Sequence, residues 1–149
     1  MKLPNGITGF SNSKINIPPQ IDSRQFKQLC NDFASHNSGK VIDFITPQYH
    51  SSFYYAQVVL KNRFYILLNK HYPYLAFASV VEFGNIIFIE RPVFNEQFAS
   101  FYLVIGADEL NIPLHQNLIK NSELNSVEME QIDYWKPETL GQIIFNYWD

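Results

Sequence analysis

Residues 53–60, 63–69 and 74–83 are crowded with aromatic and β-branched side chains, and apolar residues fall at odd and even positions alike. Successive side chains leave a strand on opposite faces, so strands of this kind need cover on both sides. A sheet clad on both faces is therefore the first demand this chain places on any fold. Two shorter runs, 41–45 and 86–90, flank the three. Lys61-Asn62 suits a two-residue hairpin, since Asn tolerates positive φ. Gly84-Asn85 suits a type II′ hairpin with Gly at its first turn position. The expectation is an antiparallel meander of four to five strands.

The cover comes from helices. Asp22 suits an N-cap, and Phe26, Leu29, Cys30 and Phe33 recur at i, i+3, i+4 and i+7, which predicts a helix over 22–36 ended by Asn37 to Gly39. After the strands the period changes again. Phe94 could staple onto a helix capped by Asn95, with Phe98, Phe101, Tyr102 and Ile105 as its stripe and Gly106 as its stop. Residues 112–119 fit no single period. Ser126 can cap a helix over 127–134. Pro137 suits the first turn of a final helix whose stripe is Leu140, Ile143, Ile144 and Tyr147. Residues 1–20, with Pro4, Gly6, Gly9, Pro18 and Pro19, read as an irregular lead-in. The 149 residues then form one α+β domain over 1–149: lead-in 1–20, helix 22–36, sheet 41–90 and a mostly helical 95–149.

Chemistry is hard to place. Cys30 is the only thiol and sits on a helical stripe, where a buried Cys acts as a small hydrophobe. His36, His50, His71 and His115 have no metal-ligand spacing. Gly6-Ile7-Thr8-Gly9 reads as a turn, since no Lys-Ser/Thr follows it to make a phosphate loop. Asp43, Glu82 and Glu90 fall in or beside strands with no evident acid/base pairing. Tyr49, His50, Phe53, Tyr54 and Tyr55 form an aromatic cluster without an interleaved Lys or Arg, which argues against base stacking. The expectation is no enzyme, no catalytic residue, no metal and no cofactor. No apolar run approaches the ~20 residues of a membrane span, and no signal peptide is evident. The implied location is the cytoplasm.

Charge is uneven. Nine Lys or Arg stand against six Asp or Glu before Gly106, and two against eight from Gly106 onward, so +3 precedes −6. An acidic C-terminal part suits a basic partner rather than a nucleic acid or a membrane.

The run Leu67 to Ala78 (LLNKHYPYLAFA), Ser122 to Asn125 (SELN), Trp135 to Thr139 (WKPET) and the closing Phe145 to Asp149 (FNYWD) resemble immunity proteins encoded beside polymorphic or contact-dependent growth inhibition toxins of bacteria. The resemblance implies a non-enzymatic protein that binds the toxic C-terminal domain of a cognate toxin, often a basic nuclease, and blocks it by steric and electrostatic occlusion. On that reading the acidic set Glu123, Glu128, Glu130 and Asp133 meets the partner, with Tyr134 and Trp135 as anchors. Reversing Glu128, Glu130 and Asp133 to Lys should then weaken binding with little loss of fold. The chain would act as a monomer or homodimer, and an exposed edge strand is a second candidate surface. Two other readings stay open: a regulatory protein-binding module, and a small-molecule-binding protein or unrecognised enzyme with a pocket lined by residues 49–55.

Overall fold

In a computed structural model that describes residues 1–11, 17–47, 51–92 and 94–149, five strands run as an antiparallel meander. They are β1 (Lys40–Ile45), β2 (Phe53–Val59), β3 (Arg63–Asn69), β4 (Tyr74–Glu82) and β5 (Asn85–Ile89), in that spatial order. The helix α1 (Ser23–His36) precedes them; the short α2 (Glu96–Ala99), β6 (Leu103–Val104), α3 (Ala107–Leu110), α4 (Gln116–Lys120), α5 (Ser126–Trp135) and α6 (Leu140–Ile144) follow. The class is α+β, as the sequence predicts.

Both faces of the sheet are covered. Ala56, Val58, Ile66, Leu68, Leu75 and Phe77 meet the α1 side chains Phe26, Cys30, Phe33 and Ala34, joined by Phe98 and Tyr102. Phe53, Leu67, Ala76, Ala78 and Phe88 face the other way, onto Leu110, Ile132, Leu140, Ile143 and Ile144 of the C-terminal helices. Phe26 and Phe33 are fully buried, a transfer worth about 2–3 kcal/mol each. Asp22 caps α1 by accepting from the amides of Arg24 and Gln25.

Several local expectations are corrected. The stripe from Phe98 to Ile105 is not one helix. The chain leaves α2 after four residues and lays β6 parallel to the first residues of β4, with Leu103 N donating to Pro73 O (2.7 Å) and Ile105 N to Leu75 O (2.8 Å). Tyr102 and Val104 thus enter the α1 layer, Ile105 enters the opposite layer and Phe101 is exposed. A helix would have put them on one face. Asn95 precedes α2 but makes no side-chain cap; its amide donates to Pro92 O. Phe94 stacks on Phe33, with ring centroids 5.7 Å apart.

The turns shift as well. Glu82 pairs with Asn85, so the β4–β5 turn is Phe83-Gly84, with Gly84 second at φ +72°. Positive φ at the second position belongs to a type II turn, not the expected II′. Val59 pairs with Arg63, so the β2–β3 loop is Leu60, Lys61 and Asn62 rather than two residues. Asn125, not Ser126, caps α5. Residues 112–119 divide into a bridge between Pro113 and Thr139 and then α4. Leu114 N donates to Glu138 O and Leu140 N to Ile112 O, which holds Thr139 extended. The last helix therefore starts at Leu140, past Pro137, and Tyr147 lies beyond its end.

The first ten residues are irregular, but some of them enter the interior. Leu3 and Ile7 are fully buried and Thr8 nearly so.

Candidate functional site

The acidic set does not gather on one surface. Glu123 precedes α5, is exposed and pairs with Lys2 at 3.0 Å. Glu130, Asp133 and Tyr134 share the outer side of α5, with Tyr134 76% exposed. Neither Glu130 nor Asp133 makes a hydrogen bond or ion pair among the described residues. Trp135 is half-buried; its indole N–H donates to Gln131 Oε1 at 2.9 Å and its ring meets Tyr134 edge-on.

Glu128 is a correction. Its side chain is 0% exposed and cannot join a surface. Its Oε1 accepts from Gly6 N (2.8 Å) and Asn125 N (3.1 Å), and its Oε2 from Thr8 N (2.9 Å) and Thr8 Oγ1 (2.5 Å). Asn125 Oδ1 accepts in turn from Glu128 N at 2.9 Å, which completes a capping box. The carboxylate is thus both the cap of α5 and the clamp on the N-terminal segment. Two amides extend this buried network. Asn69 Nδ2 donates to Ile7 O and Ile144 O, and Asn146 Nδ2 to Thr8 O and Ile143 O. Buried polar groups persist only when paired, so this network is structural.

A different feature has the shape of a binding site. Between the β4–β5 turn and the connection from α5 to α6 lies a cleft of about 360 Å³, within the range of small binding pockets. Phe83, Trp135, Tyr147 and Trp148 supply aromatic wall, Asn85 and Gln142 amides, and Lys136 and Glu138 charge. Gln142 Oε1 accepts from Glu138 N at 2.6 Å and so anchors the segment that carries the carboxylate. Glu138 makes no ion pair among the described residues. Phe83, 71% exposed, closes one end against Tyr147 with ring centroids 5.7 Å apart.

From there a row of rings, three half-buried tyrosines and the fully buried Phe53, runs across β2 and β3. Tyr147 lies near Phe53 (5.3 Å), Phe53 near Tyr55 (5.7 Å) and Tyr55 near Tyr65 (5.9 Å). Burial, reinforced by Tyr55, pushes the Tyr147 hydroxyl up to about 12, so it is neutral near pH 7. The cleft supplies aromatic surface, amide hydrogen bonds and one carboxylate.

The other sequence candidates take structural places. Burial drives the Cys30 thiol far above its ordinary range. His71 is buried and its Nδ1–H donates to Pro19 O at 2.8 Å; burial lowers its pKa. Tyr54 joins the α1 layer and Tyr55 the opposite one, so residues 53–55 do not line one pocket. Tyr49 and His50 lie outside the described residues. Gly6 and Gly9 form a turn, with Gly9 N donating to Gly6 O at 3.0 Å. Among the described residues no three His, Cys, Asp or Glu side chains are grouped to hold a metal ion. No helix among them is long and apolar enough to cross a membrane.

Sequence reasoning missed the cleft because its walls come from a hairpin turn and a connection some fifty residues apart. The available signal was Phe83, a large apolar residue at a turn. Comparison with protein-family models, with curated protein sequences and with solved structures returned no match.

Proposed function

We propose that this protein is a bacterial immunity protein that binds a cognate toxin domain with a basic, phosphate-binding surface and blocks it by occlusion. The observation that carries the reading is the outer side of α5. There Glu130, Asp133 and Tyr134 stand exposed, the two carboxylates unpaired among the described residues, in the part of the chain with net charge −6. Surface carboxylates without an intramolecular partner have no ion pair to break when they meet a cationic partner. Complementary charge speeds encounter and sets partner choice. Tyr134 adds an aromatic anchor of the kind that dominates interface energetics. The proposed site is Glu130, Asp133, Tyr134 and the edge of Trp135, without the buried Glu128 and without Glu123, which pairs with Lys2.

The test is co-expression with the toxic C-terminal domain encoded upstream, scored for survival and co-purification. Rescue with a stable complex is expected. The double variant Glu130→Lys/Asp133→Lys should slow association by about tenfold or more at low salt, and the difference should shrink as salt rises. Absence of rescue by the natural sequence, or an association rate indifferent to both reversals, refutes this reading.

A further inference from the structure

The cleft beside α5 has properties the helix face lacks: a concave shape, aromatic walls and a carboxylate held at its margin. We propose that it seats an arginine side chain presented by a basic protein partner, a proposal that rests on reading the protein as a binder of such a partner. A guanidinium is planar and weakly hydrated, stacks on aromatic faces and pairs with a carboxylate through two parallel hydrogen bonds.

The cleft offers each of these. Phe83 and Tyr147 touch, with ring centroids 5.7 Å apart and 48° between their planes, and together with Trp135 and Trp148 they make the lining rich in aromatic surface for stacking. Glu138 is exposed, unpaired among the described residues and fixed through its own backbone N–H by Gln142. A cavity of about 360 Å³ exceeds a guanidinium and has room for the aliphatic stem behind it. Lys136 is the single cation of the lining and Glu138 its single carboxylate, and most of the lining belongs to the part of the chain with net charge −6, which favours a cationic over an anionic ligand. A partner lysine fits less well, because a compact hydrated ammonium gains less from aromatic surface and cannot bond in parallel.

Both tryptophans of the chain line the cleft, so their fluorescence reports occupancy. The full-length protein is titrated with capped Gly-Arg-Gly, with Gly-Lys-Gly and Gly-Gln-Gly as competitors of equal length. A saturable change is expected in the millimolar range for the arginine peptide, and about tenfold weaker binding for the glutamine peptide. Phe83→Ala and Glu138→Gln replace exposed side chains, and an unchanged urea midpoint verifies their folds. Each should weaken the arginine peptide by about three- to tenfold. No saturable change, equal binding of the glutamine peptide, or unchanged binding in both variants overturns the proposal.

Co-expression separates this inference from the function it rests on. Arginine-peptide binding without toxin rescue supports the cleft and refutes immunity. Rescue by the Phe83→Ala/Glu138→Gln double variant, with unchanged affinity for the toxin domain, refutes the cleft and leaves immunity standing.

Discussion

Replacing Glu128 with Ala should cost more than any other single change on α5. The side chain is fully buried and accepts four hydrogen bonds, three of them from the buried residues Gly6 and Thr8. Each buried donor left without a partner costs about 1–3 kcal/mol, and loss of a helix cap costs about 1 kcal/mol. Two effects reduce the sum. Removing the charge returns its desolvation cost, and water can enter the space beside Asn125, which is partly exposed. The expected loss is about 3–5 kcal/mol, and about 2–3 kcal/mol for Glu128→Gln, whose amide turns N–H groups toward the Thr8 donors. With a folding free energy of about 5–15 kcal/mol, the Ala variant sits near the edge of stability. Urea unfolding followed by tryptophan fluorescence, with Glu130→Gln as the exposed control at under about 0.5 kcal/mol, measures both. A loss below about 1 kcal/mol for Glu128→Ala would refute the clamp. The expectation that charge reversal at Glu128 spares the fold is withdrawn for the same reason: a lysine there would bring a second cluster of donors to four existing ones.

Gly141→Ala should destabilise by about 1–3 kcal/mol in the same urea assay, because its Cβ would fall 2.5 Å from Phe88 Cε2 and 3.1 Å from Leu110 O. Tyr102 and Tyr147 have hydroxyls pushed up to about 12 by burial. The folded state favours their neutral forms, so the stability they contribute is complete below pH 10 and lost as pH rises toward 12, which unfolding at fixed urea and increasing pH would show. His71, lowered by burial, has the opposite sign: its contribution is present above about pH 6.5 and lost as pH falls through its depressed value, and His71→Gln should flatten that acid limb. Cys30, fully buried, should resist a thiol reagent in native buffer and react fully in denaturant; rapid native reaction would contradict its place under α1.

Patterns of side chains carried the frame of this fold. Phe26, Cys30 and Phe33 mark a helix, and β3 matches its apolar run at 63–69 because one-dimensional periodicity encodes which faces are buried. The pattern misled where backbone pairing outweighed it. The Phe98–Ile105 stripe has helical spacing, yet the edge of β4 offered Leu103 and Ile105 hydrogen bonds that no local rule contains. The candidate site divided in the same way. Glu130, Asp133 and Tyr134 were legible as exposed polar positions of a helix.

By itself the sequence determined the class of the fold, the two-sided cover of the sheet and the charge imbalance between its parts, since composition and period suffice for these. Tertiary structure alone decided that Glu128 is a buried clamp rather than a contact, because its fate depends on Gly6 and Thr8, about 120 residues away. It alone built the cleft, because Phe83 and Glu138 meet only after the meander and the helical layer have packed. Contacts of such sequence separation leave no periodic trace in one chain.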